Sequence, residues 1–220
     1  MAFTMTHLII SENISTIFAS HIKSLPQFYL GSIAPDAAHQ RANYTSEYKK
    51  ASHLITGDEI WGTITKTDEW QDNTIKFLIK HKNTENHDFI VGYCTHVLGD
   101  ICNTIKMWNP FKLKYADELK EISYGNIHHQ ECNKLDIELA LTYEGRNDFW
   151  SYLAKSESID LPDILYAAEI DKQRDLILNS WYKGKERQDI SSNTVRTYEN
   201  EMDFIKNATN YVARIFQDNL

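Results

Sequence analysis

The segment His87-Asp88-Phe-Ile-Val-Gly-Tyr-Cys-Thr-His96-Val-Leu-Gly-Asp100 sets an imidazole and a carboxylate into an apolar run. Between Phe89 and Ile101 the pattern is apolar on nearly every face, which predicts a buried helix. His96 and Asp100 stand four residues apart, so their side chains share one face of it. Burying an ionised carboxylate is costly unless it is paired or ligated. Two arrangements remove that cost: a His–Asp hydrogen bond inside the core, or a divalent metal. Imidazole and carboxylate together form a donor set suited to zinc.

Three upstream segments carry the same residue types. In Gly31-Ser-Ile-Ala-Pro35-Asp36-Ala-Ala-His39, Asp36 sits at the expected start of a helix, where the helix dipole also favours a carboxylate. Lys49-Lys50-Ala-Ser52-His53-Leu54 adds an imidazole, and Thr6-His7-Leu8 adds another before an apolar patch. Taken singly, each of these histidines reads as structural or exposed. Lys49 and Lys50 read as a solvated charge run that could approach a phosphate. Trp61, Trp70, Trp108, Trp150 and Trp181 read as core.

The elements that must position these groups are helices. Eight glycines and four prolines in 220 residues are few breakers for a chain of this length. Val195, Tyr198, Met202, Ile205, Val212 and Ile215 recur at helical spacing, with Ser191, Ser192 and Asn193 as cap candidates before them. Another helix is expected from near Pro162, capped by Asp160, to about Trp181. Further helices are expected over 127–143, 67–80 and 11–22, with loops at 83–86, 108–110 and 184–192. The expected fold is all-α: one helical domain over 1–220, built from seven or eight helices.

In order and spacing over residues 6–100, the motifs resemble the zinc-dependent phospholipase C family: Thr6-His7-Leu8, Gly31-Ser-Ile-Ala-Pro-Asp36-Ala, Ser52-His53-Leu54, and the buried Gly92-Tyr-x-x-His96-x-x-x-Asp100. That family shares its all-helical fold with single-strand-specific nucleases, binds three zinc ions and hydrolyses phosphodiesters. The resemblance implies that Asp36, His53, His96 and Asp100 hold one zinc. It implies that Asp100 bridges to a second zinc held by His7, and that Asp36 is the catalytic base. Secreted members also use a processed N-terminal tryptophan as a ligand, whereas this chain begins Met1-Ala2-Phe3.

Two more departures concern the third zinc. The family places a histidine soon after the bridging aspartate, and here none follows Asp100 before His128. It also uses a helical histidine followed four residues later by a carboxylate. His128 and His129 are followed at that distance by Cys132 and Asn133. On a helix whose apolar face is Cys132, Leu135, Leu139 and Tyr143, His128 points along the centre, His129 and Asp136 lie on one flank and Glu131 on the other. His128 is therefore the first candidate ligand, with His129 and Asp136 behind it, and Cys132 packs as a small hydrophobe.

The functional expectation is a zinc hydrolase of phosphoester bonds with two or three ions. Its substrate is expected to be a small phosphoester or a phospholipid. With 23 basic against 31 acidic residues, the chain is an unfavourable partner for nucleic acid. Three cysteines without a Cys-x-x-Cys pair fit a reducing compartment, and no signal peptide or transmembrane run is read, so a cytoplasmic location is expected. Two alternatives are a histidine–aspartate phosphohydrolase using His87 and Asp88, and a helical metal-binding or interaction protein without catalysis.

Overall fold

The computed structural model describes residues 3–120 and 122–220, and the side chains of 3–119 and 125–220. Its helices are α1 (Thr4–Ile17), α2 (Leu25–Ile33), α3 (Ser46–Ser52), α4 (Thr67–His81), α5 (His87–Asn103), α6 (Asn109–Lys114), α7 (Ile122–Thr142), α8 (Arg146–Ala154), α9 (Ala167–Leu176) and α10 (Tyr198–Asn219). Eight of these run nine residues or more, in line with the expected seven or eight, and α3 and α6 are shorter additions. Among the described residues there is no strand, only an isolated bridge between Leu161 and Leu165. No helix is long and apolar enough to cross a membrane.

α5 is the axis. It is buried from Phe89 to Asn103, as its all-round apolar pattern requires. α1, α2, α4 and α10 pack around it, and their apolar side chains join one core cluster that includes Leu8, Phe28, Phe89, Val97, Phe204 and Phe216. Burial of each such side chain contributes about 1.5–3 kcal/mol. α2 comes closest to α5 because glycine stands at the crossing on both sides. A Cβ added to Gly31 would fall 2.0 Å from the Phe89 carbonyl oxygen, and one added to Gly92 would fall 1.9 Å from that of Phe28.

Several boundaries differ from expectation for local reasons. α10 starts at Tyr198 and is capped by the Thr197 side chain, which accepts from Asn200 N; the expected caps at 191–193 lie before it. Asn193 instead donates to the Glu131 and Arg196 carbonyls. α9 begins at Ala167 rather than near Pro162, with a capping box between Tyr166 and Glu169. Asp160 still serves that helix end, accepting from Ala167 N at 2.7 Å across the intervening turn. The expected loop at 108–110 is helical, because α5 runs through a π-helical turn (Thr104–Trp108) directly into α6. Pro110 sits two residues past that π-helical turn, at the junction with α6. α1 is displaced toward the N-terminus from the expected 11–22, which brings His7 inside it.

Candidate metal centre

Four segments converge on the C-terminal half of α5. α1 presents His7, the 3₁₀ turn after α2 (Ala34–Gln40) presents Asp36, the end of α3 presents His53, and α5 itself presents His96 and Asp100. His7, His53, His96 and Asp100 are at most 2% exposed, and Asp36 is 14% exposed. Their donor atoms fall into two triads that share His96: His7–His96–Asp100 and Asp36–His53–His96.

The separations bear on what the cluster could hold. His7 Nε2 lies 3.5 Å from Asp100 Oδ1, and His53 Nε2 lies 3.5 Å from Asp100 Oδ2 and 3.6 Å from Asp36 Oδ1. His96 Nε2 is 4.0 Å from Asp100 Oδ2. These are too long for N–H···O hydrogen bonds, which run about 2.7–3.2 Å. They are close to the spacing of two ligands on one tetrahedral zinc with bonds of about 2.1 Å, which is about 3.4 Å. In this buried place the Nε2 atoms of His7, His53 and His96, and Asp36 Oδ1, find no hydrogen-bond partner. A core normally satisfies such atoms, so their convergence fits a divalent cation.

The second nitrogens of two of these histidines are already committed. His96 Nδ1–H donates to the Ser32 carbonyl at 2.7 Å, a contact made possible by the close α2–α5 crossing. His53 Nδ1–H donates to the Lys49 carbonyl at 3.0 Å. Both bonds leave the Nε2 lone pair facing the cluster, the arrangement that orients histidine for a metal. The Tyr93 hydroxyl donates to the Ser52 carbonyl, and Trp70 Nε1–H donates to that of His53, pinning the end of α3 to α5 and α4. His7 stacks on His96 with ring centroids 3.6 Å apart, and Gly99 leaves the room that the His7 ring occupies.

The electrostatics match. Burial and the stacked His7 ring push the His96 imidazole down to about 3, so it is neutral and able to ligate. Burial pushes the Asp100 carboxyl up, but His7 and His96 outweigh it and hold the group well below the usual carboxylate range. Burial acts the same way on Asp36, and Lys49, His53 and His96 hold it well below that range.

The remaining candidates lie elsewhere. His128, His129 and Asp136 join neither triad. His128 lies between the rings of Trp108 and Phe111, with Cys132 Sγ 3.8 Å from its Nδ1. The Cys132 thiol is buried and pushed up to about 11 by that burial, which suits the packing role expected of it. His129 is exposed and touches Phe3. Asp136 is buried but spent, accepting from Met5 N at 2.8 Å and from the Tyr182 hydroxyl at 2.7 Å. The structure therefore brings none of the three expected third-ion residues to the pair of triads. His87 and Asp88 stand at the other end of α5, about 18 Å from Asp100 at 1.5 Å per residue. Asp88 is not the exposed helix-start residue expected. It accepts from Lys23 N and Ser24 N, ordering the entry to α2, while His87 faces the Lys82 and His21 carbonyls.

No family model matches the chain, and no curated protein or solved structure matches it.

Sequence reasoning missed three features of the site. Lys49 is not solvated: it is 3% exposed, with Nζ 3.6 Å from Asp36 Oδ1 and 3.1 Å from His39 Nε2. Its four-residue spacing from His53 on α3 was the available signal. Trp61 and Trp108 are not simple core residues, since both line a cavity beside the cluster. Trp181 lines a second cavity of about 400 Å³, into which Asp36 and His39 open.

Proposed function

We propose that this chain is a zinc-dependent hydrolase of phosphoester bonds, working with two ions. The observation that carries the reading is the pair of buried His/Asp triads, in which four His–Asp separations of 3.5–4.0 Å bring together groups from four segments of the chain. The step from metal binding to phosphoester chemistry is supported by the motifs over residues 6–100, whose order and spacing resemble the zinc-dependent phospholipase C family. Two ions are proposed rather than three because His128, His129 and Asp136 assemble with neither triad.

Asp36, His53, His96 and Asp100 Oδ2 would hold one ion, and His7 with Asp100 Oδ1 the other. Held there, divalent ions would supply a lowered pKa to bound water and a clamp on phosphate oxygens. The chain's own residues supply the rest. Asp36 stands at the wall of a cavity, placed to accept a proton from an attacking water. Lys49 keeps it ionised. The Ser32 and Lys49 carbonyls fix the tautomers of His96 and His53.

The test pairs metal stoichiometry with turnover of bis(4-nitrophenyl) phosphate, measured on wild type and His7→Ala. The wild type is expected to hold two equivalents of zinc and turn over. His7→Ala is expected to lose one equivalent and nearly all hydrolysis while staying folded. Unchanged stoichiometry and turnover in His7→Ala would remove His7 from the site. A folded wild type that binds zinc and cleaves no phosphoester would leave the non-catalytic metal-binding alternative.

A further inference from the structure

Beside the cluster lies a cavity of about 260 Å³ lined by Phe3, Trp61, Ile64, Thr104, Trp108 and His128, with Gly62, Gly125 and His129 completing it. The Trp61 ring meets His53 edge-on at 4.8 Å, so whatever fills the cavity lies next to a ligand of the proposed zinc. Phe3 and His129 line both this cavity and the one onto which Asp36 opens, which sets the two side by side.

The lining has a specific electrical character. Among the described residues no Asp, Glu, Lys or Arg lines it. Burial and the nearby Arg196 push His128 down to about 4, so its imidazole is neutral near pH 7. Trp108 Nε1–H is spent on the Gly62 carbonyl at 2.7 Å. The Lys49 ammonium lies over the Trp61 ring, 4.4 Å from its centroid, and that of Lys112 lies 5.9 Å from the Trp108 centroid. Aromatic rings recruit a quaternary ammonium through their negative faces. Here both indoles already serve lysines, whose charges repel a second cation, and no carboxylate lines the wall to offset that. The volume falls just below the about 300–1,000 Å³ of sites for drug-sized ligands, which suits one small ring rather than a long chain.

We propose that this cavity binds an uncharged flat ring carried by the substrate's alcohol, so that aryl or heteroaryl phosphoesters are accepted and quaternary-ammonium esters refused. The ring site stands on the cavity alone, while its link to turnover rests on the phosphoester reading above.

The experiment is calorimetric titration of the zinc-loaded protein with phenyl phosphate, choline phosphate and inorganic phosphate. Phenyl phosphate is expected to bind about tenfold or more tighter than inorganic phosphate, and choline phosphate no tighter than inorganic phosphate. The decisive variant is Gly125→Leu in α7, where among the described residues an added Cβ meets Leu119 Cδ2, at 4.0 Å. It should fill the cavity, abolish the phenyl advantage and leave inorganic phosphate binding unchanged, with an unaltered circular dichroism spectrum. Saturable quenching of tryptophan fluorescence by 4-nitrophenol in chelator-treated wild type, lost in Gly125→Leu, would support the ring site even if hydrolysis fails. Equal affinities for the three probes, tighter choline phosphate, or a phenyl advantage that survives in folded Gly125→Leu would overturn the proposal.

Discussion

Two buried polar regions flank α1, and they are built in opposite ways. Thr6 faces α10, where its hydroxyl donates to Glu201 at 2.6 Å. Glu201 is paired with the Arg196 guanidinium, which also donates to Asn103 Oδ1. Nearby, Glu131 accepts the backbone N–H groups of Thr194, Val195 and Arg196 at 2.7–2.9 Å. His7, the next residue along α1, faces α5 and the cluster, where every His–Asp separation is 3.5–4.0 Å. Apart from the 3.4 Å reach of Arg196 to Asn103 Oδ1, the first region closes on itself at hydrogen-bond distances. The second stops at ligand distances. A buried ion pair and a metal centre draw on the same residue types, and what separates them is under one ångström of spacing plus the direction of the imidazole lone pairs.

The largest expected effect strikes the helix crossing that supports the second region. Gly92→Ala would drive a Cβ to 1.9 Å from the Phe28 carbonyl oxygen. The α2–α5 crossing would have to open, costing about 3 kcal/mol or more. It would also withdraw the Ser32 carbonyl from His96. Chemical denaturation of the variant should show that loss both with zinc and with chelator.

Next in size comes the contrast between the regions. Arg196→Met leaves the Glu201 carboxylate buried without its partner, and removing one member of such a pair costs about 3–5 kcal/mol. The loss should be the same in zinc and in chelator. Asp100→Ala should behave differently: whatever it loses in chelator through the contacts that hold its carboxyl ionised, its zinc-dependent increment should disappear as well. Melting curves of both variants under both conditions check this. A zinc-dependent increment that survives in Asp100→Ala would erase the distinction.

The smallest effect concerns pH. The folded-state value of His128 is about 4, below the 6.5 of an unperturbed histidine, through burial and Arg196. A depressed folded value means that its share of stability is present above pH 6.5 and is lost as pH falls toward 4. That share is about 2 kcal/mol once its partial exposure is discounted. Denaturation of chelator-treated wild type and His128→Phe at pH 7.5 and pH 4.5 should show the variant losing less on acidification by about that amount.

The helical class, the buried α5 and the shared face of His96 and Asp100 could be read from the chain, because each rests on a local pattern. An all-round apolar run must be buried, and His96 and Asp100 four apart must share a face. That His7, Asp36 and His53 reach this face was carried by the family resemblance, since spacing says nothing about which helices meet. What escaped depends on tertiary placement. Lys49 beside Lys50 looks like any exposed basic pair until α3 is laid against the 3₁₀ turn. Asp136 looks like a free carboxylate until the start of α1 delivers Met5 N to it. The run at 108–110 looks like a loop because Asn-Pro favours turns, yet a π-helical turn absorbs the change of direction.

The most direct test is a titration of chelator-treated protein with zinc, followed by calorimetry and by thermal melting, on wild type and His53→Ala. Wild type should take up zinc to a defined stoichiometry. At a free zinc concentration one hundred times Kd it should gain about 2.7 kcal/mol of stability for each ion bound, each raising the melting temperature by about 5–11 °C for a chain of this size. His53→Ala should lose the ion shared with Asp36 and that ion's share of the gain. Wild type that shows neither heat of binding nor a shift in melting temperature would contradict the metal centre, and the cluster would then be a buried histidine–aspartate core.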